Sequence, residues 1–420
     1  MADDFDDGGF DEPLQQPINL AERKRHKWHK LYLRNKNGAP YSNAANVMVA
    51  LENDPMLRGI VAYDKMLLAP VVCHEIGAAM DLREPRPATD GDAVAVMIYL
   101  QQQELTALKI GDTRSALDHI ANRRAFHPVR DYLENLEWDG VPRIGVWLAS
   151  YLGAELNQYT QHIGRMFMIQ MCARIFAPGC QADHMLVLEG QQGILKSTAC
   201  KVLGGAWFSD HLPPISKDKA CSEHIKGKWL VEITELNAMK RAEATELKSF
   251  LSRTDERYRP TWGHREAFQP RQCCFVGTTN ELQYLKDPSG GRRFWPVRVG
   301  VTGDIQIELL EENRDQLFAE ATDHYRHGVQ WWPDKQFEVE LIKPEQAARL
   351  EVDVWREKIE EYVGGRTSAS VADILGHLGL VTKEQHQLNA MRVVAVLRDL
   401  GWEPERSKRQ RFWVAPDRML

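Results

Sequence analysis

Residues 186–205 read LVLEGQQGILKSTACKVLGG. This is nearly the pattern Gly-x-x-x-x-Gly-Lys-Ser, with Leu195 where the second glycine belongs. Such a loop binds a triphosphate because backbone N–H groups at a helix start converge on the phosphates. A lysine reaches the outer phosphates and a hydroxyl holds Mg2+. Gly190 and Gly193 supply permissive turns, Lys196 the charge and Ser197 the metal-binding hydroxyl; with Thr198 they are the candidate contacts for ATP and Mg2+. Leu195 is tolerated only if its backbone takes helix-like dihedrals and its side chain points away from the phosphates. The rival reading is a glycine-rich turn with no ligand. The flanking pattern, an apolar strand before and a helix from about Lys196, argues against it.

Three further stretches carry matching chemistry. WLVEITEL places Glu232 and Glu235 on or at the end of an apolar strand, where carboxylates can hold the water shell of Mg2+ and polarise an attacking water. Glu235, at the strand's exposed end, is favoured for that role, with Glu232 as its neighbour; alternatively Glu232 is the polar face of a half-buried strand. CCFVGTTN ends in Asn280, a polar residue at a strand tip that could orient water against the γ-phosphate. DPSGGRRFWPVRV presents Arg292 and Arg293 after a double glycine, a flexible turn suited to neutralising transition-state charge, often in a neighbouring subunit's site. Taken alone, the pair could equally be solvated surface arginines.

The elements that must position these residues follow from the hydrophobic pattern. Residues 1–20 read as a disordered acidic leader. Residues 21–145 read as an N-terminal α+β region with a helical connector: YSNAANVMVALEND a capped helix, GIVAYDKMLLAPVV short strands, DGDAVAVMIYLQQQE a second helix. Residues 150–180 read as a long amphipathic helix. HMLVLEG, GKWLVEITEL and RQCCFVGTTN are buried strands alternating with helices, which indicates a parallel sheet covered on both faces. The fold class is therefore α/β, with a P-loop ATPase core over 146–304. A helical segment occupies 305–362 and a winged-helix-like domain 363–420. In that last domain two helical patterns precede the basic hairpin ERSKRQRFWVAP, and from Gly365 to the end nine Lys/Arg stand against six Asp/Glu, a net of +3.

Composition excludes several classes. The chain has 420 residues, 43% hydrophobic and 27% charged, which suits a soluble globular protein of two or three domains. No apolar run approaches a membrane span. Seven scattered cysteines favour a reducing cytoplasm over a disulfide framework. The net charge of −6 does not advertise a nucleic-acid binder, although local basic surfaces can hide in such a total. Cys221-x-x-His224 and Cys73-His74 lack a second ligand pair at metal spacing, and Cys273-Cys274 fit a buried strand.

GQQGILKST, GKWLVEITELNAM, FLSRTDERYRPTWGHRE, RQCCFVGTTN and GGRRFWPVR together resemble the virulence-associated protein E family of phage- and island-encoded proteins, related to superfamily 3 helicases and to the helicase parts of phage primases. The resemblance covers most of residues 120–300. It implies an AAA+-like ATPase core that assembles as a ring, a hexamer, around DNA. Lys196 and Ser197 then serve the phosphates and Mg2+, Glu235 is the Walker B acid, Asn280 is sensor 1, and Arg292 or Arg293 is the finger. Superfamily 3 helicases also place a DNA-gripping hairpin before sensor 1. YRPTWGHREAFQP occupies that slot, with His264 and Arg265 near the tip to follow phosphates and Trp262 to stack on a base. Arg253, Arg257 and Arg259 could serve DNA, nucleotide or a subunit contact. Leu195 departs from the glycine many members carry, which bears on catalytic rate more than on fold.

Three functions follow in order. The first is an ATP-dependent DNA helicase or translocase of a phage or mobile element, acting in replication in the bacterial host cytoplasm. In it the C-terminal module holds duplex DNA through its second helix and the wing residues Arg406, Lys408, Arg409 and Arg411. A primase, if one participates, is expected on another polypeptide or in a segment not present here. The second is a replication initiator or regulator that uses ATP only to assemble on DNA. The third, a phosphoryl-transfer enzyme on a small substrate, fits the arginines and hairpin least.

Overall fold

The computed structural model describes residues 27–76, 85–236, 241–258, 267–286, 291–351, 353–380, 386–406 and 411–416. The acidic leader, the hairpin residues Arg259, Trp262, His264 and Arg265, and the wing residues Lys408 and Arg409 lie outside them. The chain divides into two compact units, residues 1–128 and 129–420.

The first unit is α+β. Helix α1 (Ala44–Asn53) starts at Asn43, whose side chain accepts the N–H of Asn46. Strands β1 (Val61–Asp64), β2 (Ala69–Val72) and β3 (Arg86–Pro87) follow, then α2 (Asp90–Gln103), which opens on a Thr89–Asp92 capping box, α3 (Ile110–Arg123) and β4 (Ala125–Phe126). The sheet runs β3-β2-β1-β4, parallel only between β1 and β4. Val47, Leu51, Val96, Leu100, Leu117 and Ile120 bury their side chains with Val61 and Val72 in one core.

The second unit takes up the expected connector. Residues 129–145, expected with the N-terminal region, belong here. The reason is a buried acid: Glu320 accepts the backbone N–H of Arg143 at 2.5 Å and of Ile144 at 2.9 Å, while the Tyr132 hydroxyl donates to Asp315. After α4 (Pro128–Glu134) come α5 (Trp147–Leu152) and α6 (Gln158–Phe176). The long helix expected over 150–180 is α6 alone, starting later than expected because Gly153 ends α5 with a left-handed backbone (φ 62°) and packs on the Gly303 carbonyl. Nor is α6 amphipathic: most of its residues are buried, Gln170 and Arg174 included.

Strand β5 (Met185–Glu189) leads through the loop to α7 (Lys196–Gly204), then β6 (Phe208–Ser209), α8 (Asp218–His224), β7 (Leu230–Ile233) and α9 (Arg241–Leu251). Strands β8 (Asp255–Tyr258) and β9 (Ala267–Pro270) pair antiparallel as a separate ribbon, the base of the expected hairpin. Strands β10 (Cys274–Thr279) and β11 (Phe294–Arg298) complete a five-stranded sheet in the order β11-β5-β10-β7-β6, parallel throughout. Every residue of β5, β7 and β10 is buried, as expected for strands covered on both faces. The chain leaves β5 toward β6 and leaves β10 toward β11, in opposite directions, so the carboxyl ends of these neighbours form a switch-point crevice.

Helix α10 (Ile307–Arg326) packs on α6 and α7. The turn α11 (Lys335–Phe337), a π-turn at Glu338–Ile342 and α12 (Lys343–Ala348) follow. The C-terminal module joins α13 (Arg356–Val363), β12 (Ser368–Ala369), α14 (Val371–His377), α15 (Gln387–Asp399), β13 (Glu403–Arg406) and β14 (Arg411–Val414), with the sheet ordered β12-β14-β13 around Ile374, Val393, Leu397, Trp402 and Trp413. No described helix is long and apolar enough to cross a membrane.

Candidate nucleotide-binding site

The loop between β5 and α7 lies in the switch-point crevice, a cleft of about 320 Å3 lined by Gly193, Leu195, Lys196, Ser197, Thr198, Glu235, Thr278, Thr279 and Asn280. Gly190 donates its N–H to the Thr279 carbonyl at 3.2 Å, which ties the loop to β10. Gly193 needs its left-handed backbone (φ 85°), and a Cβ there would meet nothing within 4 Å. Leu195 corrects the expectation of helix-like dihedrals: its backbone is left-handed too (φ 69°, ψ 24°), the conformation a glycine would take, and it is 50% exposed. The loop therefore reaches the shape its missing glycine would give, at a cost in backbone strain. The first residues of α7, Lys196, Ser197 and Thr198, line the cleft, and the N–H groups of a first helical turn have no partner inside the helix.

Lys196 is buried at 7% exposure. Its Nζ donates to the carbonyls of Gly190 and Gln191, both at 2.7 Å, and to Asn280 Oδ1 at 3.0 Å. The ammonium thus links the loop to the tip of β10. Burial holds its pKa below the ordinary lysine value, partly opposed by the Glu232 carboxylate.

Glu232 departs from the half-buried-strand reading. It is 1% exposed on a strand buried throughout. Its Oε1 accepts the hydroxyls of Ser197 and Thr278, both at 2.6 Å, whereas Oε2 is buried with no hydrogen-bond partner. That leaves one buried carboxylate oxygen unmatched beside the Ser197 hydroxyl, a donor set that fits a cation or its bound water. Glu235 sits past the strand end with a left-handed backbone (φ 52°), exposed on the cleft rim. Thr278 was not singled out from the sequence; a hydroxyl two residues before Asn280 was the available signal.

The two arginines differ. Arg293 Nε donates to Ser252 Oγ at 2.7 Å and lies 3.7 Å from Asp183 Oδ2, while Arg292 is exposed. Of the other basic residues, Arg253 pairs with Asp218 and Glu256, and Arg257 with Asp255 while stacking on Phe268. On α15, Arg392 pairs with Asp353 at 2.5 Å and Arg398 lies over Trp413, so the exposed face there carries Gln387, Met391 and Arg398. Arg406 on β13 is exposed and pairs in register with Arg411.

A parallel α/β sheet with a lysine-bearing loop and a buried acid at one switch point defines the class of site. Residues 133–351, just over half of the chain, match the virulence-associated protein E-like domain, and the chain belongs to this family. Among solved structures, an A-form apo structure of the C-terminal region of NrS-1 is similar at 10% identity, covering 89% of this chain and 100% of that one, with a TM-score of 0.44. Another apo structure of that region gives 12% identity, 84% and 95% coverage and a TM-score of 0.39. No curated protein matches.

Proposed function

We propose that this protein is an ATP-dependent DNA helicase or translocase of a phage or mobile element, working in replication as an oligomeric ring. The observation that carries the reading is Glu232: a fully buried carboxylate, bonded to Ser197 and Thr278, with one oxygen unmatched beneath a lysine-bearing loop. The first-turn amides of α7 and Lys196 would hold the phosphates, and Ser197 and Glu232 would hold Mg2+, which would supply neutralisation of phosphate charge. Glu235, on the rim, would orient the attacking water, and Asn280, the partner of Lys196, would contact the terminal phosphate. Arg292, exposed, is the better finger for a neighbouring subunit's site. DNA contacts fall to the hairpin carried by β8 and β9 and to the basic wing.

ATP turnover with and without single-stranded DNA tests this. Wild-type chain hydrolyses ATP and is stimulated by DNA, and Lys196→Ala lowers turnover by about a hundredfold or more. Binding of ATP without turnover would support the initiator reading instead, and no binding at millimolar Mg·ATP would end both.

A further inference from the structure

Behind the phosphate loop lies a buried ion pair that the nucleotide chemistry does not use. Glu189, the last residue of β5, is wholly buried. Arg349 grips it with two prongs, Nε at 2.9 Å from Oε1 and Nη2 at 2.9 Å from Oε2, and the Tyr284 hydroxyl donates to Oε1 at 2.9 Å. The backbone around Arg349 is tied as firmly. Its carbonyl accepts the amides of Tyr284 at 3.1 Å and Leu285 at 2.9 Å, and the Glu351 N–H reaches the Leu285 carbonyl at 2.8 Å. Three residues earlier, Gln346 Nε2 donates to the Phe294 carbonyl at 2.7 Å, and its side chain covers Gly291, where an added Cβ would meet Oε1 at 3.3 Å.

One stretch, residues 346–351, therefore touches three motifs of the site: the strand end before the loop, the segment after Asn280, and the turn bearing Arg292. Its continuation enters the C-terminal module. Asp353 accepts the Trp355 N–H at 2.8 Å and takes Arg392 Nε of α15 at 2.5 Å, with the Arg392 guanidinium 3.9 Å over the Trp355 ring. A buried pair of this kind adds little stability over an apolar replacement, so its worth lies in fixing geometry. The geometry it fixes is that of Glu189, one residue before Gly190, whose carbonyl holds Lys196.

We infer that Arg349 is a positioning residue that sets the phosphate loop through Glu189, and that residues 346–351 together with Asp353 relay the state of the C-terminal module to the nucleotide site. This rests on the nucleotide reading above. Full-length wild type, Arg349→Lys, Arg392→Ala and the double variant are compared for KM and kcat with Mg·ATP, with and without an oligo-dT strand. Arg349→Lys keeps the charge but loses the two-pronged grip. It raises KM about ten- to a hundredfold well below its melting temperature. Arg392→Ala keeps the DNA-free constants but loses the stimulation by the oligo-dT strand, and adds nothing in the Arg349→Lys background. If Arg349→Lys folds poorly, Tyr284→Phe, which deletes one donor to Glu189, gives a severalfold rise in KM of the same sign. Wild-type constants in Arg349→Lys or Tyr284→Phe, or effects of Arg349→Lys and Arg392→Ala that simply multiply, overturn the relay while leaving the ATPase standing. Absence of Mg·ATP binding by wild type removes both.

Discussion

Leu195 holds a backbone conformation that costs an L-residue roughly 1–2 kcal/mol, with no side-chain bond at the helix start to offset it. Leu195→Gly removes that strain but adds unfolded-state entropy of about 0.5–1 kcal/mol, leaving a small net gain. Its melting temperature is therefore expected to rise by about a degree or two, while Leu195→Ala, equally strained, gives no rise. A fall in melting temperature for the glycine variant would show that the leucine side chain contributes contacts worth more than the strain. The two arginines separate in the same assay. Arg293→Ala loses its bonds to Ser252 and Asp183 and melts earlier; Arg292→Ala melts as wild type but loses most ATP turnover. The reverse pattern would transfer the finger to Arg293. At this scale the residue types of the site were legible because phosphate chemistry demands a lysine, a hydroxyl and an acid at fixed places. What stayed hidden was side-chain direction. The strand-end position of Glu235 on the rim was readable, but not that Glu232 turns in to Ser197, and Glu189 and Arg349 meet across 160 positions of sequence.

Elements were legible where period and caps agree, as in the capped α1 and the continuous apolar strands β5, β7 and β10. Helix α6 was not. Its polar residues mimic a solvent face, yet Gln170 Nε2 donates to the His184 carbonyl at 2.8 Å and Arg174 Nη2 to the Ala182 carbonyl at 3.0 Å, so both are buried while serving the backbone that leads into β5. That same lead-in carries a pH response. His184 stacks on Trp295 of β11, ring centroids 4.4 Å apart. Burial lowers its pKa to about 4, with Arg292 and Arg293 acting in the same sense and Asp183 opposing. The unfolded chain takes up this proton from about pH 6.5 downward but the folded chain only near pH 4, so stability falls as pH drops across that window. His184→Phe, which keeps the ring stack, should flatten the melting temperature between pH 6.5 and 4 relative to wild type. An unchanged slope would place the response elsewhere.

At the scale of the whole molecule, the α/β core and the compact C-terminal module were readable from changes of pattern along the chain, whereas the unit boundary was not: residues 129–145 join the second unit through Glu320, a contact between distant positions. The strand order has a consequence for how the chain comes off the ribosome. Strand β5 is made early, yet its partners β10 and β11 end at Thr279 and Arg298, about a hundred residues later. Until then its apolar backbone has unpaired edges and waits on contacts of high sequence separation, the slow and sticky kind. Chains stopped at residue 286 should collect in the pellet, and chains carried past Arg298 should increasingly stay in solution, as a length series of translation products would show. Equal solubility across the series would mean that the nascent helices shield β5 on their own; otherwise this protein spends its synthesis needing a chaperone at one identifiable strand.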